Sequence, residues 1–250
     1  MPKLTIGYSA LAERVVNIRL PLGNYEFLIL VQNPNNRECQ SEKFKEKALI
    51  VKVSGMGVTK SRNRAIALAK TEYLIFGDDD IEFHPEALNE AIALMDANPH
   101  LTLLLLAAND EKGRIRKQYP NKRQRLTKLN AARAATYEMV IRVPEVRRLG
   151  VEFDEEFGAG AENYLGDEYI FIADLIDKNA MCEFAPIFVA SHPEKSSGSI
   201  WGTNRDRRVR AKVFSRVFGI WAPIIRLFFG LRRKRQFGGV RSVLKFIFGK

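Results

Sequence analysis

The chain reads as an α/β protein: a mostly parallel sheet with helices on both faces. Three observations carry this expectation. Apolar runs at residues 4–8, 25–32, 48–53, 72–76 and 101–107 are short and bounded by turn residues, as buried strands are. Helix-patterned segments alternate with them. The 250 residues are 46% hydrophobic with only 17 Gly and 10 Pro, which suits a sizeable core and excludes collagen-like, low-complexity and disordered chains.

The elements follow in order. After the run at 4–8, residues 10–19 place Leu11, Val15 and Ile18 at helical spacing. The strand at 25–32 is stopped by Asn33-Pro34-Asn35-Asn36. A third strand at 48–53 leads through Gly55-Met56-Gly57 into an Ala-rich helix over 60–70, with Thr59 or Ser61 as cap. The strand at 72–76 ends in Gly77-Asp78-Asp79-Asp80. Pro85 opens a helix over 86–97, and Pro99 closes it. Residues 108–134 are basic and polar, which suits a mobile loop or an exposed helix. Strand 136–143, helix 168–177 and strand 181–190 complete the body.

Charge is unevenly distributed. The chain carries a net +11, yet residues 201–250 hold ten Arg, four Lys and one acid, and residues 1–200 sum to −2. A near-neutral body with a basic tail points to a polyanion or an anionic membrane as partner. Cys39 and Cys182 are too few for a disulfide framework or a zinc site and read as inert thiols in a reducing compartment. The N-terminal segment has no cationic stretch followed by a long apolar one and a cleavage site, so a cytoplasmic location is expected.

Three adjacent aspartates at a strand end repel one another unless a cation is present. Mg²⁺ or Mn²⁺ takes one or two protein carboxylates and fills its shell with water and phosphate oxygens. Ligands in open α/β sheets bind beyond the carboxyl ends of the strands, where this triplet falls. Just upstream, Lys60, Arg62 and Arg64 sit at the start of a helix, a ready anion site. Gly55-x-Gly57 lacks the third glycine and the later acid of a dinucleotide fingerprint.

In sequence, GVTKSRNRAIALAKTEYLIFGDDDIEFHPEAL resembles the nucleotide-sugar half of family-2 glycosyltransferases of the GT-A fold, where a G-x-S-x-x-R-N helix, a strand and a D-x-D follow in order. FDEEFGAGAENYLGDEYIFIADLI resembles the acceptor half, and SHPEKSSGSIW looks like the end of the catalytic domain in bacterial members. The resemblance covers about residues 4–200 and implies a GT-A (Rossmann-like) fold and an inverting, metal-dependent sugar transferase. Asp80 and Asp78 then fall at the metal-binding D-x-D, with Asp78 and Asp79 also at the nucleotide sugar. Lys60, Arg62 and Asn63 lie toward the nucleotide or its diphosphate. In Gly166-Asp167-Glu168 the last acid, Glu168, is the candidate general base, with Asp167 second; both acids also suit a helix N-terminus by charge alone.

The chain departs from the family pattern in places. The resemblance implies a UDP-sugar donor, but the uracil-reading Asp that many members carry after the second strand is replaced here by Gln32-Asn33-Pro34, of which Gln32 and Asn33 can still hydrogen-bond a base. The usual opening P-x-Y/F-N-R after the first strand is here Gly7-Tyr8-Ser9, so Tyr8 and Ser9 carry over as donor contacts by position and not by motif. The resemblance also offers His192 as a further metal ligand, imidazole being suited to Mn²⁺; a lone histidine is more often structural or exposed. The cofactor expected is Mn²⁺ or Mg²⁺.

Residues 207–250 interleave Arg and Lys with Phe, Val, Ile, Leu and Trp, the pattern of an interfacial amphipathic helix on anionic lipid. Blocks of apolar residues suit a bilayer better than nucleic acid. The expected organisation is a catalytic domain over 1–200, with a donor half to about 107 and an acceptor half after it, and a basic amphipathic extension over 201–250. The expected acceptor is a glycan or lipid-linked carrier in cell-surface polysaccharide synthesis. A nucleotidyltransferase-like use of the same site and a non-enzymatic nucleic-acid-binding protein are the alternatives.

Overall fold

The computed structural model describes residues 1–33, 35–193 and 203–249. The expected stretch SHPEKSSGSIW falls largely outside these described residues. Among them, nine strands form one sheet: β1 (Leu4–Leu11), β2 (Glu26–Gln32), β3 (Leu49–Val53), β4 (Tyr73–Asp78), β5 (Glu82–Phe83), β6 (Leu101–Asn109), β7 (Gln124–Arg125), β8 (Met139–Arg142) and β9 (Met181–Ser191). β3, β2, β1 and β4 are adjacent in that order and parallel, as are β6 and β9. β8 enters between β4 and β6 antiparallel to both, and β5 and β7 pair antiparallel with β9. A parallel return needs a crossover, normally a helix, and the chain between β6 and β8 contains none, so β8 comes back antiparallel. The sheet is therefore mixed, with its parallel character concentrated in the first half.

Helices α1 (Val58–Leu68), α2 (Pro85–Asp96), α3 (Val143–Leu149) and α4 (Asp167–Asp177) cover it. Strand alternation sorts the core. Leu74 and Phe76 of β4 face one layer with Ala65, Ile66, Ile170 and Leu175, and Tyr73 and Ile75 face the other with Val15, Leu88 and Met95. Each layer is built from nearly unexposed side chains.

Several expected elements differ. Strand β1 runs on to Leu11, and a 3-10 turn, Ala12–Asn17, replaces the helix over 10–19. Pairing with both β2 and β4 through Ser9 holds the backbone extended despite the helical spacing. Helix α1 starts at Val58 with Gly57 as its cap, so Thr59 and Ser61 lie buried inside the first turn. Residues 136–143 divide into a 3-10 turn, β8 and the start of α3; Pro144 in the first turn and left-handed Gly150 at the end are the signals that mark α3. Residues 108–134 form no helix. They are anchored instead by buried Glu138, which accepts from Lys117 Nζ at 2.9 Å and Tyr119 OH at 2.6 Å. Cys39 and Cys182 are both free.

The tail forms α5 (Asn204–Phe218), α6 (Ala222–Arg232) and α7 (Val240–Ile247). The helical stretch Asn204–Arg232 is long and apolar enough by composition to cross a membrane. It is not one straight rod. Fifteen residues of continuous helix would separate Phe214 from Phe229 by about 22 Å, whereas their rings are 4.9 Å apart. The turn at Gly219–Trp221 folds α6 back on α5, with Phe214, Phe237, Val243 and Phe246 between the helices. On its other side, α5 sends Val213 and Val217 into the core of the body.

Gly77, just before the aspartates, has no room for a side chain. A Cβ there would lie 2.8 Å from ring carbons of fully buried Tyr8 and 3.1 Å from Phe83. Gly77→Ala should therefore cost about 1–3 kcal/mol through overpacking, lowering the thermal midpoint by about 5 °C. An unchanged midpoint in a thermal melt would contradict this packing.

Candidate active site

The parallel half reverses direction at β1, which has β2 on one side and β4 on the other. The crevice beyond the carboxyl ends of β1 and β4 is the switch point at which such sheets bind ligands. Asp78 ends β4, and Asp79 and Asp80 form the turn after it. The 3-10 turn after β1 supplies the opposite wall.

The three aspartates have different partners, because successive residues leave the sheet toward opposite faces. Asp78 points toward α1, where Arg62 lies 3.6 Å away. Asp79 turns to the other layer, where Arg14 Nε lies at 2.8 Å and Asn17 donates at 3.4 Å. Asp80 is the most open, 3.7 Å from Arg14 and 3.8 Å from His192 Nε2. Burial raises Asp78 above the ordinary carboxylate range, Arg62 opposes that, and the charge of Asp80 adds to it. Asp79 is raised by burial against the pull of Arg14.

Arg62 is the centre of the arrangement. Its guanidinium is buried and pairs with Asp167 at the start of α4 as well as with Asp78. Burial works against its charge, but the field of Asp167, Asp78 and Glu168 prevails and raises it further. One side chain thus links the end of β4 to α4, Arg62 and Asp167 lying 105 residues apart in sequence. Beside it, Glu168 makes no salt bridge among the described residues. Burial, then the neighbouring charge of Asp167, push Glu168 well above the usual glutamate range.

The glycine turns around this centre are close-fitting. Gly158, at φ +98°, leaves space that Asp167 occupies, for a Cβ would come within 2.9 Å of its carboxyl carbon. Val58 N donates to Ala159 O at 2.9 Å, so the first free amide of α1 is already occupied by the acceptor half. Gly166, at φ +94°, caps α4, and its missing side chain makes way for Val213 of α5.

The other expected site residues are placed as follows. Tyr8 is fully buried, its hydroxyl donating to Arg19 O at 2.9 Å, and supports the floor under Gly77. Ser9 pairs in register with Asp78 and is nearly buried. Gln32 donates to Gly57 O at 2.6 Å, tying β2 to the cap of α1. Asn33 closes an exposed turn with Arg37 through two bonds of 2.7 Å. Asn63 bonds both ways with Phe153, at 2.9 and 2.7 Å, and so joins α1 to the acceptor half. Lys60 reaches back toward Gly55. The structure pairs Arg62 with Asp78 and Asp167, beside Glu168, and on a second side sets Asp79 and Asp80 with Arg14 and His192; Asp78 joins the two, feeling Arg62 as well as the charges of Asp80 and His192.

A cavity of about 920 Å³ opens on this second side, lined by Arg14, Asn17, Lys43, Asp79, Asp80 and His192. His192 stacks on Tyr137, ring centroids 5.0 Å apart, and its Nδ1 is 2.6 Å from Pro193 O. The Arg116 guanidinium, which only donates, lies against the same Nδ1. Arg116 braces the same segment, donating to His192 O at 2.7 Å. Arg14, Asn17, Arg116 and Tyr137 were not expected from sequence. The position of Arg14 just past β1 is the signal that could have found it; Arg116 and Tyr137 have none, being joined to His192 only in space.

Among the described residues, no three His, Cys, Asp or Glu side chains gather into a metal-holding cluster. Of the expected trio, Asp80 and His192 face each other, and Asp78 lies against Arg62 while feeling the charges of both. Their donor set still fits Mn²⁺ or Mg²⁺. Asp80 and His192 are the residues that would hold such an ion, a carboxylate oxygen being a donor both ions take.

The model of glycosyl transferase family 2 matches residues 12–155, more than half of the chain. The match ends before Gly166-Asp167-Glu168, so those residues are placed by geometry and motif. A search of curated proteins finds no match. Among solved structures, S. aureus TarS aligns with a TM-score of 0.61 at 15% identity over 96% of this chain, which spans 44% of that TarS chain. TarS 1-349 in complex with UDP aligns at 0.60 with 16% identity, covering 96% of this chain and 73% of that one. The complex of TarS 1-349 with UDP-GlcNAc aligns at 0.58 with 14% identity, covering 98% and 81%. At these identities the likeness establishes the fold, which is the GT-A fold expected. The nucleotidyltransferase and nucleic-acid alternatives give way to the family match. With more than half of its length matched and its sheet shared with TarS, the chain belongs to glycosyl transferase family 2 and is a glycosyltransferase.

Proposed function

We propose that this glycosyltransferase moves a sugar from a UDP-sugar to a hydroxyl of a glycan or lipid-linked acceptor in cell-surface polysaccharide synthesis, inverting the anomeric centre. The observation that carries the reading is the Arg62 bridge. It sets Asp78, at the donor end of the sheet, against α4, which carries Glu168. The TarS complexes with UDP and UDP-GlcNAc, on the same fold, favour uridine as the base.

Asp80 and His192 would hold Mn²⁺ or Mg²⁺, with Arg14 as the neighbouring cation. When bound, the ion stabilises negative charge on the departing diphosphate. The protein residues have separable tasks. Arg62 offsets the charge of both Asp78 and Asp167, so Glu168 is the acid left without a cation of its own. A carboxylate whose proton affinity burial has raised is the stronger base once it is ionised. Glu168 takes the proton of the acceptor hydroxyl as its oxygen attacks the anomeric carbon, opposite the diphosphate. Asp167 is the second candidate for that role, but its pairing with Arg62 suits it to orientation. Residues 207–250 would hold the enzyme peripherally on the cytoplasmic face of an anionic membrane.

The donor part is tested by thermal shift with UDP and Mn²⁺. At about a hundredfold excess over Kd, a ligand adds about 2.7 kcal/mol, a rise of about 5–10 °C for a domain of this size. Wild type should show it, and Asp80→Asn should lose most of it. An equal rise in the variant would remove Asp80 from the metal and donor site.

A further inference from the structure

The surplus charge of the tail is not all available. Cations of α5 are matched by acids of the body and of α5 itself: Lys212 with Glu162 at 3.1 Å, Arg216 with Asp154 and Asp174 at 2.9 and 2.8 Å, and Arg210 with Asp206 at 2.7 Å. Arg226 is buried against the carbonyls of Ala211 and Ile247. By contrast, Arg232, Arg233, Lys234, Arg235, Arg241 and Lys245 meet no acid among the described residues, and Arg233 donates to the neutral amide of Gln236.

The same part of the chain exposes large apolar side chains. On α6 and the turn before it, Ile220, Trp221, Ile224, Leu227, Phe228 and Leu231 form a stripe at helical spacing, 39–87% exposed. The opposite face of α6, through Ala222, Arg226 and Gly230, is buried against α5 and α7. The stripe ends directly in four consecutive cations, Arg232 to Arg235.

We infer that this face of α6 is the membrane-docking surface. Its apolar stripe enters the boundary between headgroups and acyl chains of an anionic bilayer, and Arg232, Arg233, Lys234 and Arg235 lie on the lipid phosphates. Apolar burial beside basic residues is the combination that holds interfacial helices. Trp221 and Phe228 supply aromatic anchors of the interfacial kind. Charge argues against the other occupants. A second copy laid on the same face would bring no acid to the four cations, since residues 207–250 contain none. A nucleic acid would leave six large apolar side chains against phosphate. The inference rests on the peripheral-membrane part of the function proposed above and narrows it: α5 belongs to the body, and the docking arm begins at Ile220.

The test is co-sedimentation of the full-length protein with vesicles of phosphatidylcholine alone and of phosphatidylcholine with phosphatidylglycerol. Wild type should bind the anionic vesicles at least tenfold more tightly, and salt should weaken the binding. Changing both Trp221→Ser and Phe228→Ser should reduce partitioning tenfold or more. Replacing the four cations with Gln should reduce it roughly 100-fold. All changed side chains are exposed or half-exposed, so thermal midpoints and the UDP–Mn²⁺ shift should stay at wild-type values, showing that the fold and the donor site are intact. Glu168→Gln should bind vesicles like wild type, which separates failure of the catalytic reading from failure of this one. Unchanged partitioning in both tail variants would overturn the inference. So would a wild-type protein that ignores anionic vesicles, that dimerises through the stripe in sedimentation velocity, or that binds DNA more tightly than lipid.

Discussion

Glu168→Gln should lower sugar transfer by about 10²–10⁴-fold, the usual contribution of a positioned general base, with UDP binding retained. The substitution keeps the shape of the side chain and removes only its ability to take a proton. Wild-type activity should also show an acid limb set by this residue. Glu168 works ionised, so the rate falls as pH drops through its folded-state pKa, which burial and Asp167 place above the ordinary value of 4.5. Stability has the opposite sign. Because the folded value exceeds the unfolded one, wild type loses stability as pH rises from about 4.5 through the folded value. Glu168→Gln escapes that loss and should be the more stable protein at neutral pH. A pH–rate profile alongside thermal melts checks both. Full activity in the variant would transfer the role to Asp167.

Arg62→Met should be the most damaging single change for the fold of the site. It leaves Asp78 and Asp167 facing each other without their shared cation. Removing one partner of a buried ion pair typically costs about 3–5 kcal/mol, which for a chain of this size lowers the melting point by about 10 °C. The loss should be smaller at low pH, where protonation relieves the two carboxylates. Arg62→Lys should recover part of the stability but less of the activity, since an ammonium cannot bridge two carboxylates as a guanidinium does. Melting at pH 5 and 8 for both variants is the measurement. A pH-independent loss in Arg62→Met would show that packing against Phe153, whose ring lies 5.7 Å from the guanidinium, matters more than charge.

The parallel half of the sheet was legible in the sequence because its strands are buried on both faces and read as unbroken apolar runs. Pro85 marks a helix boundary through backbone geometry that local sequence displays. The helix expected over 10–19 did not form because pairing with two neighbouring strands outweighs local periodicity. Strand direction beyond β4 was not legible either, since it depends on whether a crossover helix intervenes.

At the site, motif spacing pointed to the acids but not to their counter-ions. The alternation that sends Asp78 to Arg62 and Asp79 to Arg14 acts across sheet layers, and no contiguous pattern records it. Nor does the pattern show that Tyr8, Asn33 and Asn63 spend their polar groups on turns and inter-element ties. The charge count was visible, and its division was not. Pairing of α5 with the body becomes apparent only when Asp154, Glu162 and Asp174 are seen beside it.

The central claim is that one crevice holds both a metal-assisted donor site at Asp80 and a base at Glu168. Release of UDP from a panel of UDP-sugars tests it most directly, measured on the full chain with Mn²⁺, with EDTA, and in Asp80→Asn and Glu168→Gln. The expected result is release that requires Mn²⁺, stops in EDTA and falls at least 100-fold in each variant, with UDP binding kept by Glu168→Gln and lost by Asp80→Asn. Release that persists in EDTA and in Asp80→Asn would contradict the account.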